Sequence, residues 1–213
     1  MTLSQRVVLA IIKLLLKPLL SWKVEGRENV PLDGSLIVVA NHVHLIDPIL
    51  LQLSFPRWLS FMAKQELFRY PLVGFAIRWA QAFSIRRQGT IGNKRETIKQ
   101  AVDILRGGLV LGMFPEGKRN RNGKLLPGKS GVAVIASQTG TPLLPVGIIG
   151  TEKLKGIRWL WKRPRIIINI GHSFNPPSIE TRLTRGQTRL LTGLIMNKIA
   201  ALLPADNRGV YGD

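Results

Sequence analysis

Two stretches of this sequence carry residue types that can do chemistry together. The first is NHVHLIDP, Asn41 to Pro48, in which His42 is followed five positions later by Asp47. On a continuous helix that offset puts the two side chains on different faces. The segment therefore reads as a turn leaving a strand, with Asp47 capping the next helix and Pro48 at its first position. Such a turn can bring the Asp47 carboxylate onto one ring nitrogen of His42 and leave the other nitrogen as a base with a fixed tautomer. A His–Asp pair removes a proton from a hydroxyl, and no serine accompanies it to store an acyl group. His44 ranks below His42, because a residue two further along projects differently from the turn. His172, in IGHSF, has no acidic neighbour close in sequence and reads as structural.

The second stretch is FPEGKRNRNGKLLPGKS, Phe114 to Ser130. Its first half follows an apolar run and offers a carboxylate, a glycine and two bases. Arg119 can take a phosphate by a two-pronged contact, and Lys118 supplies a point charge. Gly117 permits close backbone approach to a ligand, and Glu116 can accept hydrogen bonds from a polyol. Its second half, GKLLPGKS, matches the phosphate-loop pattern letter for letter. That motif needs a strand leading directly into its first glycine. Gly123 instead lies well beyond the apolar run, and Pro127 removes one of the N–H groups that should cradle phosphate. The expectation is that Lys129 and Ser130 begin a helix near an anionic ligand. No G-x-S-x-G, H-E-x-x-H or G-x-G-x-x-G occurs.

The elements that must position these residues follow from apolar patterning. Short β-branched runs at Leu36–Ala40, Leu59–Ala63, Ala82–Ile85, Leu109–Phe114, Leu143–Ile149 and Arg165–Ile170 read as buried strands. Helical patterns fill the gaps at Pro48–Leu53, Glu66–Trp79, Ile91–Leu105, Gly131–Thr139 and Leu183–Leu203. This alternation predicts an α/β domain with a mostly parallel mixed sheet flanked by helices. Parallel strands would deliver Asn41-His42, Arg86-Arg87, Pro115-Glu116-Gly117 and Gly150-Thr151-Glu152 to one edge, where open α/β sheets bind ligands.

With 213 residues the chain suits one substantial domain, expected over residues 22–213 behind an N-terminal helix over 1–21. Lys and Arg number 31 against 12 Asp and Glu, a net charge of +19, so the partner is anionic. The absence of cysteine excludes disulfides, thiolate metal sites and a cysteine nucleophile. Three histidines are too few for a convincing multi-histidine metal site, so no metal is expected.

The N-terminal stretch TLSQRVVLAIIKLLLKPLLSW is apolar but carries Arg6, Lys13 and Lys17. At about 100° per residue these three cations fall within about 20° of Arg6. A cationic stripe on an apolar helix suits an amphipathic element lying in a membrane interface. Further along, KLKGIRWLWKRPR, Lys153 to Arg165, surrounds Trp159 and Trp161 with bases. That combination suits a lipid headgroup interface or nucleic acid.

Taken in order, VEGRENVP (Val24–Pro31), NHVHLIDP, FSIRR, FPEGKRN and PLLPVGIIGTE resemble the glycerophospholipid acyltransferases, most of all the 1-acylglycerol-3-phosphate acyltransferases of phospholipid synthesis. The resemblance covers roughly Trp22 to Glu152. It implies that His42 and Asp47 are the family's His-x4-Asp catalytic pair. It also implies that Arg87, Glu116, Gly117 and Arg119 bind the substrate, beside Lys118, and that Pro145 is the proline of the fourth motif. The chain departs from the family pattern at Lys118 and Asn120, commonly threonine and serine, and at Arg86, often acidic; the Lys118 and Arg86 changes add positive charge. The implied reaction moves a fatty acyl group from acyl-CoA or acyl carrier protein to the hydroxyl of 1-acylglycerol-3-phosphate, with no cofactor beyond that co-substrate. The implied setting is the cytoplasmic face of a membrane, with lysophosphatidate and an anionic bilayer as partners and no nucleic acid. Behind this reading stand a relative acting on another lysophospholipid or glycerol phosphate, a basic nucleic-acid-binding protein, and a nucleotide hydrolase.

Overall fold

The computed structural model describes residues 1–64, 83–85, 91–156, 159–177 and 183–212. The helix expected over Glu66–Trp79 and the pair Arg86-Arg87 lie outside the described residues. Within them the chain runs α1 (Leu3–Leu16), β1 (Ser21–Glu25), β2 (Leu36–Ala40), α2 (Asp47–Ser54), β3 (Leu59–Lys64) and β4 (Phe83–Ile85). It continues with α3 (Ile91–Arg106), β5 (Val110–Met113), α4 (Gly131–Thr139), β6 (Leu143–Ile149), α5 (Trp159–Lys162), β7 (Arg165–Ile170) and α6 (Arg185–Ala200).

The strands form one seven-stranded sheet in the order β1-β7-β6-β2-β5-β3-β4. Five strands, β2 to β6, run parallel, and β7 joins β6 antiparallel. β1 pairs with β7 in parallel, so these two neighbouring strands at one side of the sheet run against the other five. The mixed, mostly parallel sheet expected from sequence is therefore present. β1 was not anticipated: SWKVE has no continuous apolar run, and its side chains are half-exposed at a sheet edge.

β2 shows why the centre of the sheet is stable. All five residues of LIVVA are buried, because a central parallel strand is covered on both faces. Ile37 and Val39 join a cluster with Leu105, Ile135 and Ile195, from the layer of α3, α4 and α6. Leu36, Val38 and Ala40 join a second cluster with Leu50, Phe55 and Ile166 on the opposite face, where Leu16 of α1 also packs. The period-two alternation of one strand thus divides the molecule into two cores.

Local signals end and start the helices. Gly140 closes α4 at φ 62°, a left-handed position that favours glycine. Thr184 and Gln187 form a reciprocal capping box that starts α6 at Arg185, two residues later than its apolar pattern suggested. Among the described residues, no helix is long and apolar enough to cross a membrane.

Ile37→Ala should remove a fully buried branched side chain from the central strand, at a cost of about 3 kcal/mol. A thermal melt should show a fall of roughly 10 °C.

Candidate active site

The carboxyl ends of β2, β5 and β6 lie side by side, so three loops meet there. The loop after β2 is folded by one oxygen atom. Asp47 Oδ2 accepts from the backbone N–H of Val43 and of His44, both at 2.7 Å, and lies 2.9 Å from His42 Nδ1. Asp47 is fully buried, whereas the His42 side chain keeps 14% exposure. Asp47 was expected to cap the helix it begins. Its carboxylate instead reaches back along the chain, and the N-cap position of α2 falls to Ile46, with Pro48 within the first turn. Two backbone donors and a ring nitrogen offer a buried carboxylate more than its own helix terminus does.

The remaining face of the histidine is equally constrained. Its ring stacks on Phe114 at 4.1 Å, and Phe114 stacks in turn on Phe61 at 6.1 Å. Gly112 makes this column possible, because a side chain there would collide with the Phe61 ring. With Nδ1 held by the carboxylate, Nε2 has no hydrogen-bond partner among the described residues. That leaves Nε2 as an acceptor on a ring that keeps some exposure.

The loop after β5 clamps His42 by its main chain. His42 N–H donates to Glu116 Oε1 at 2.7 Å, and Asn120 N–H donates to His42 carbonyl oxygen at 2.8 Å. The second Glu116 oxygen accepts from Leu126 N–H at 2.9 Å. Glu116, 2% exposed, therefore ties loops together and does not offer itself to a polyol. Burial pushes its carboxyl up to about 7; the two backbone N–H groups pull the other way and the neighbouring Asp47 charge adds to the rise.

Gly117 also takes a different role from the one expected. Its φ is 67°, and the Lys129 side chain lies over it, 2.9 Å from where a Cβ would sit. The glycine makes room for a lysine of the protein. The GKLLPGKS segment is not a phosphate cradle. The N–H groups of Gly123, Leu125, Leu126, Gly128 and Lys129 bond to Asn120, Asn207, Glu116, Tyr211 and Pro115 respectively. Donors already committed inside the protein cannot turn toward a nucleotide.

Arg119 is exposed and lines a cavity of about 420 Å³ with His44, Arg121, Thr151, Lys155 and Trp159. Lys118 is exposed and lies outside that lining. Arg87 lies outside the described residues. Burial lowers the His44 pKa first of all; the Arg119 and Arg121 charges lower it further, and Asp47 opposes them. Neutral His44 accepts the Ile46 N–H on Nδ1 at 3.3 Å. The buried Thr151 hydroxyl at this cavity has no hydrogen-bond partner among the described residues.

Sequence reasoning gave Arg121 no role; it placed Thr151 at this edge and Lys155 in a basic, tryptophan-bearing segment, and the structure brings all three to the cavity from two separate loops. It placed Asn41 at the edge but did not foresee its role: the side-chain amide exchanges two hydrogen bonds with the backbone of Ile148, at 2.7 and 2.8 Å. That exchange stitches the end of β2 to β6. A polar residue directly after a buried apolar strand was its only signal.

Against known proteins, the family described as Acyltransferase matches residues 21–149. A 1-acyl-sn-glycerol-3-phosphate acyltransferase of Borreliella burgdorferi is 32% identical over 129 residues, 61% of this chain and 51% of that protein. One from Streptococcus pneumoniae is 32% identical over 187 residues, covering 80% of this chain and 67% of its own. The chain spans only 40% of a chloroplastic relative from Brassica napus. The crystal structure of the 1-acyl-sn-glycerophosphate acyltransferase PlsC from Thermotoga maritima superposes with a TM-score of 0.68 at 30% identity, over 90% of this chain and 77% of that one.

The raised Glu116 pKa has a signed consequence. A carboxyl whose pKa is higher folded than unfolded stabilises the fold most below its ordinary value near 4.5, and that contribution is lost as pH rises through about 7. The thermal-melt advantage of wild type over Glu116→Gln should therefore shrink by a few degrees between pH 5 and pH 8. An advantage that grows over the same range would contradict the burial argument.

Proposed function

The chain belongs to the Acyltransferase family, and from that membership we propose that it moves a fatty acyl group from a thioester, acyl-CoA or acyl carrier protein, to the free hydroxyl of 1-acylglycerol-3-phosphate. The product is phosphatidic acid, a step of phospholipid synthesis. The observation that carries this reading is the 2.9 Å contact between His42 Nδ1 and Asp47 Oδ2 at the carboxyl edge of the sheet. The names of the relatives support the choice of acceptor.

In the proposed step, His42 Nε2 takes the proton from the lipid hydroxyl as that oxygen attacks the thioester carbonyl. The tetrahedral intermediate collapses, the C–S bond breaks, and the departing thiolate takes the proton from the imidazolium. One ester forms, one thioester is consumed, and one free thiol leaves. Asp47 holds the tautomer with Nδ1 protonated and stabilises the transient positive charge. The stack on Phe114 fixes the plane of the ring. Direct attack needs no covalent enzyme intermediate, in keeping with a site that has no cysteine.

Arg119 and its neighbours on the basic cavity are proposed to hold the acceptor phosphate, as two-pronged guanidinium contacts favour. Arg87 keeps the role that the resemblance implies for it, and Lys118 adds charge at the rim. Both lipids reside in a bilayer, and α1 suits peripheral attachment to its cytoplasmic face. Leu3, Val7, Ile11 and Leu14 are exposed, at 79%, 49%, 51% and 72%. At about 100° per residue they form one strip about 80° wide, and Arg6, Lys13 and Lys17 run beside it.

His42→Ala should lower thiol release from acyl-CoA plus lysophosphatidate by about 10²–10⁴-fold while far-ultraviolet circular dichroism stays unchanged. A variant with wild-type turnover would sink the assignment. Lys13→Glu combined with Lys17→Glu should reduce co-sedimentation with anionic vesicles, and unchanged sedimentation would remove α1 from the membrane.

A further inference from the structure

The face of the sheet opposite α1 carries a feature that the acyl-transfer site does not use. A groove of about 1310 Å³ runs across the outer helical layer between α3 and α6, with α4 as its floor. Arg95, Lys99 and Arg106 of α3 line one wall, and Arg185 and Arg189 of α6 line the other. Asp103 is the only acidic residue of the lining. Among the described residues none of the five cations has an ion-pair partner. The floor, GVAVIASQT, has no charged side chain at all.

The dimensions select the kind of anion. From Arg95 to Arg106 the α3 wall rises about 16 Å at about 1.5 Å per residue. Arg95 and Lys99 are one turn apart, as are Arg185 and Arg189, so each wall presents positive charge at helical spacing. A single phosphate would engage one end of such a track. An acidic helix, about 10 Å across, would engage its length. A bilayer is a poor occupant, because the exposed apolar strip of α1 belongs to the other face of the sheet. Single-stranded nucleic acid is also poorly served. Tyr211 is the one aromatic side chain of the lining, and its hydroxyl is already bonded to Gly128 N–H.

The groove also touches the catalytic loop. Gly128 and Ser130 line its end. Between them Lys129 sends its side chain over Gly117, next to the Glu116 that clamps His42. We propose that this groove docks an acidic helix of a protein-borne acyl donor, an acyl carrier protein, beside the loop that holds the active site. The proposal rests on the acyl-transfer reading and names the form of donor that the enzyme takes.

The test compares two donors with the same acyl chain, acyl carrier protein and coenzyme A, on wild type, on Arg95→Glu/Lys99→Glu and on Arg185→Glu/Arg189→Glu. Each pair is exposed, and each variant is checked by thermal melt. Both variants should raise KM for the acyl carrier protein thioester about tenfold or more, with kcat and the CoA reaction within about twofold of wild type. Wild-type KM for the protein donor should rise with added salt. Equal losses with both donors, or no loss with either, would overturn the proposal. So would a loss of vesicle binding with intact use of the protein donor. Wild type that turns over acyl-CoA but not the protein donor would overturn the docking proposal alone. Wild type inactive with both donors would overturn the acyl-transfer reading as well.

Discussion

A single carboxylate oxygen organises this site. Asp47 Oδ2 gathers two backbone N–H groups and one imidazole nitrogen inside a buried turn. Three hydrogen-bonding contacts on one buried oxygen fix the turn around it. The histidine therefore has no freedom of rotamer or tautomer to lose when a substrate arrives. Such preorganisation is what a general base requires, because geometry comes before pKa in proton transfer. The same oxygen explains why the two residues stand five apart: the intervening chain supplies the donors that close the loop.

The second constraint is on the main chain. Glu116 and Asn120 hold the N–H and the carbonyl of His42 from the neighbouring loop. Glu116 also holds Leu126, so one buried carboxyl joins three points of chain. The carboxyl edge of the sheet is thus a set of loops bonded to one another and not merely adjacent. Asn41 extends the same network to β6 by imitating a backbone strand partner. Buried polar groups satisfied in this way raise rigidity, and a missing partner would leave a desolvated group behind.

The charge of +19 is not spread evenly. One basic set surrounds the cavity beside His44, and another lines the groove between α3 and α6 on the far side of the α4 layer. A third forms the stripe on α1. Each lies against a different background: polar loops at the cavity, the uncharged floor of α4 at the groove, and exposed apolar side chains on α1. Charge alone says only that the partner is negative; the background says of what kind.

The sequence by itself determined the main strands and singled out the two side chains that one of them delivers. LIVVA and LLPVGII are strands because apolar runs that short are covered on both faces, RIIINI buries alternate residues, and His-x4-Asp marked two side chains that meet at 2.9 Å. These signals are local, so spacing encodes them. Only the tertiary structure decided what the loops do with their polar groups. The partner of Glu116 lies 74 residues away and that of Gly128 lies 83 residues away. No local pattern could reveal that Glu116 would be a clamp, that the GKLLPGKS donors would be consumed within the protein, or that SWKVE would find β7 at the edge. Burial and hydrogen-bond satisfaction are properties of chain segments brought together, and they exist only once the sheet has aligned those segments.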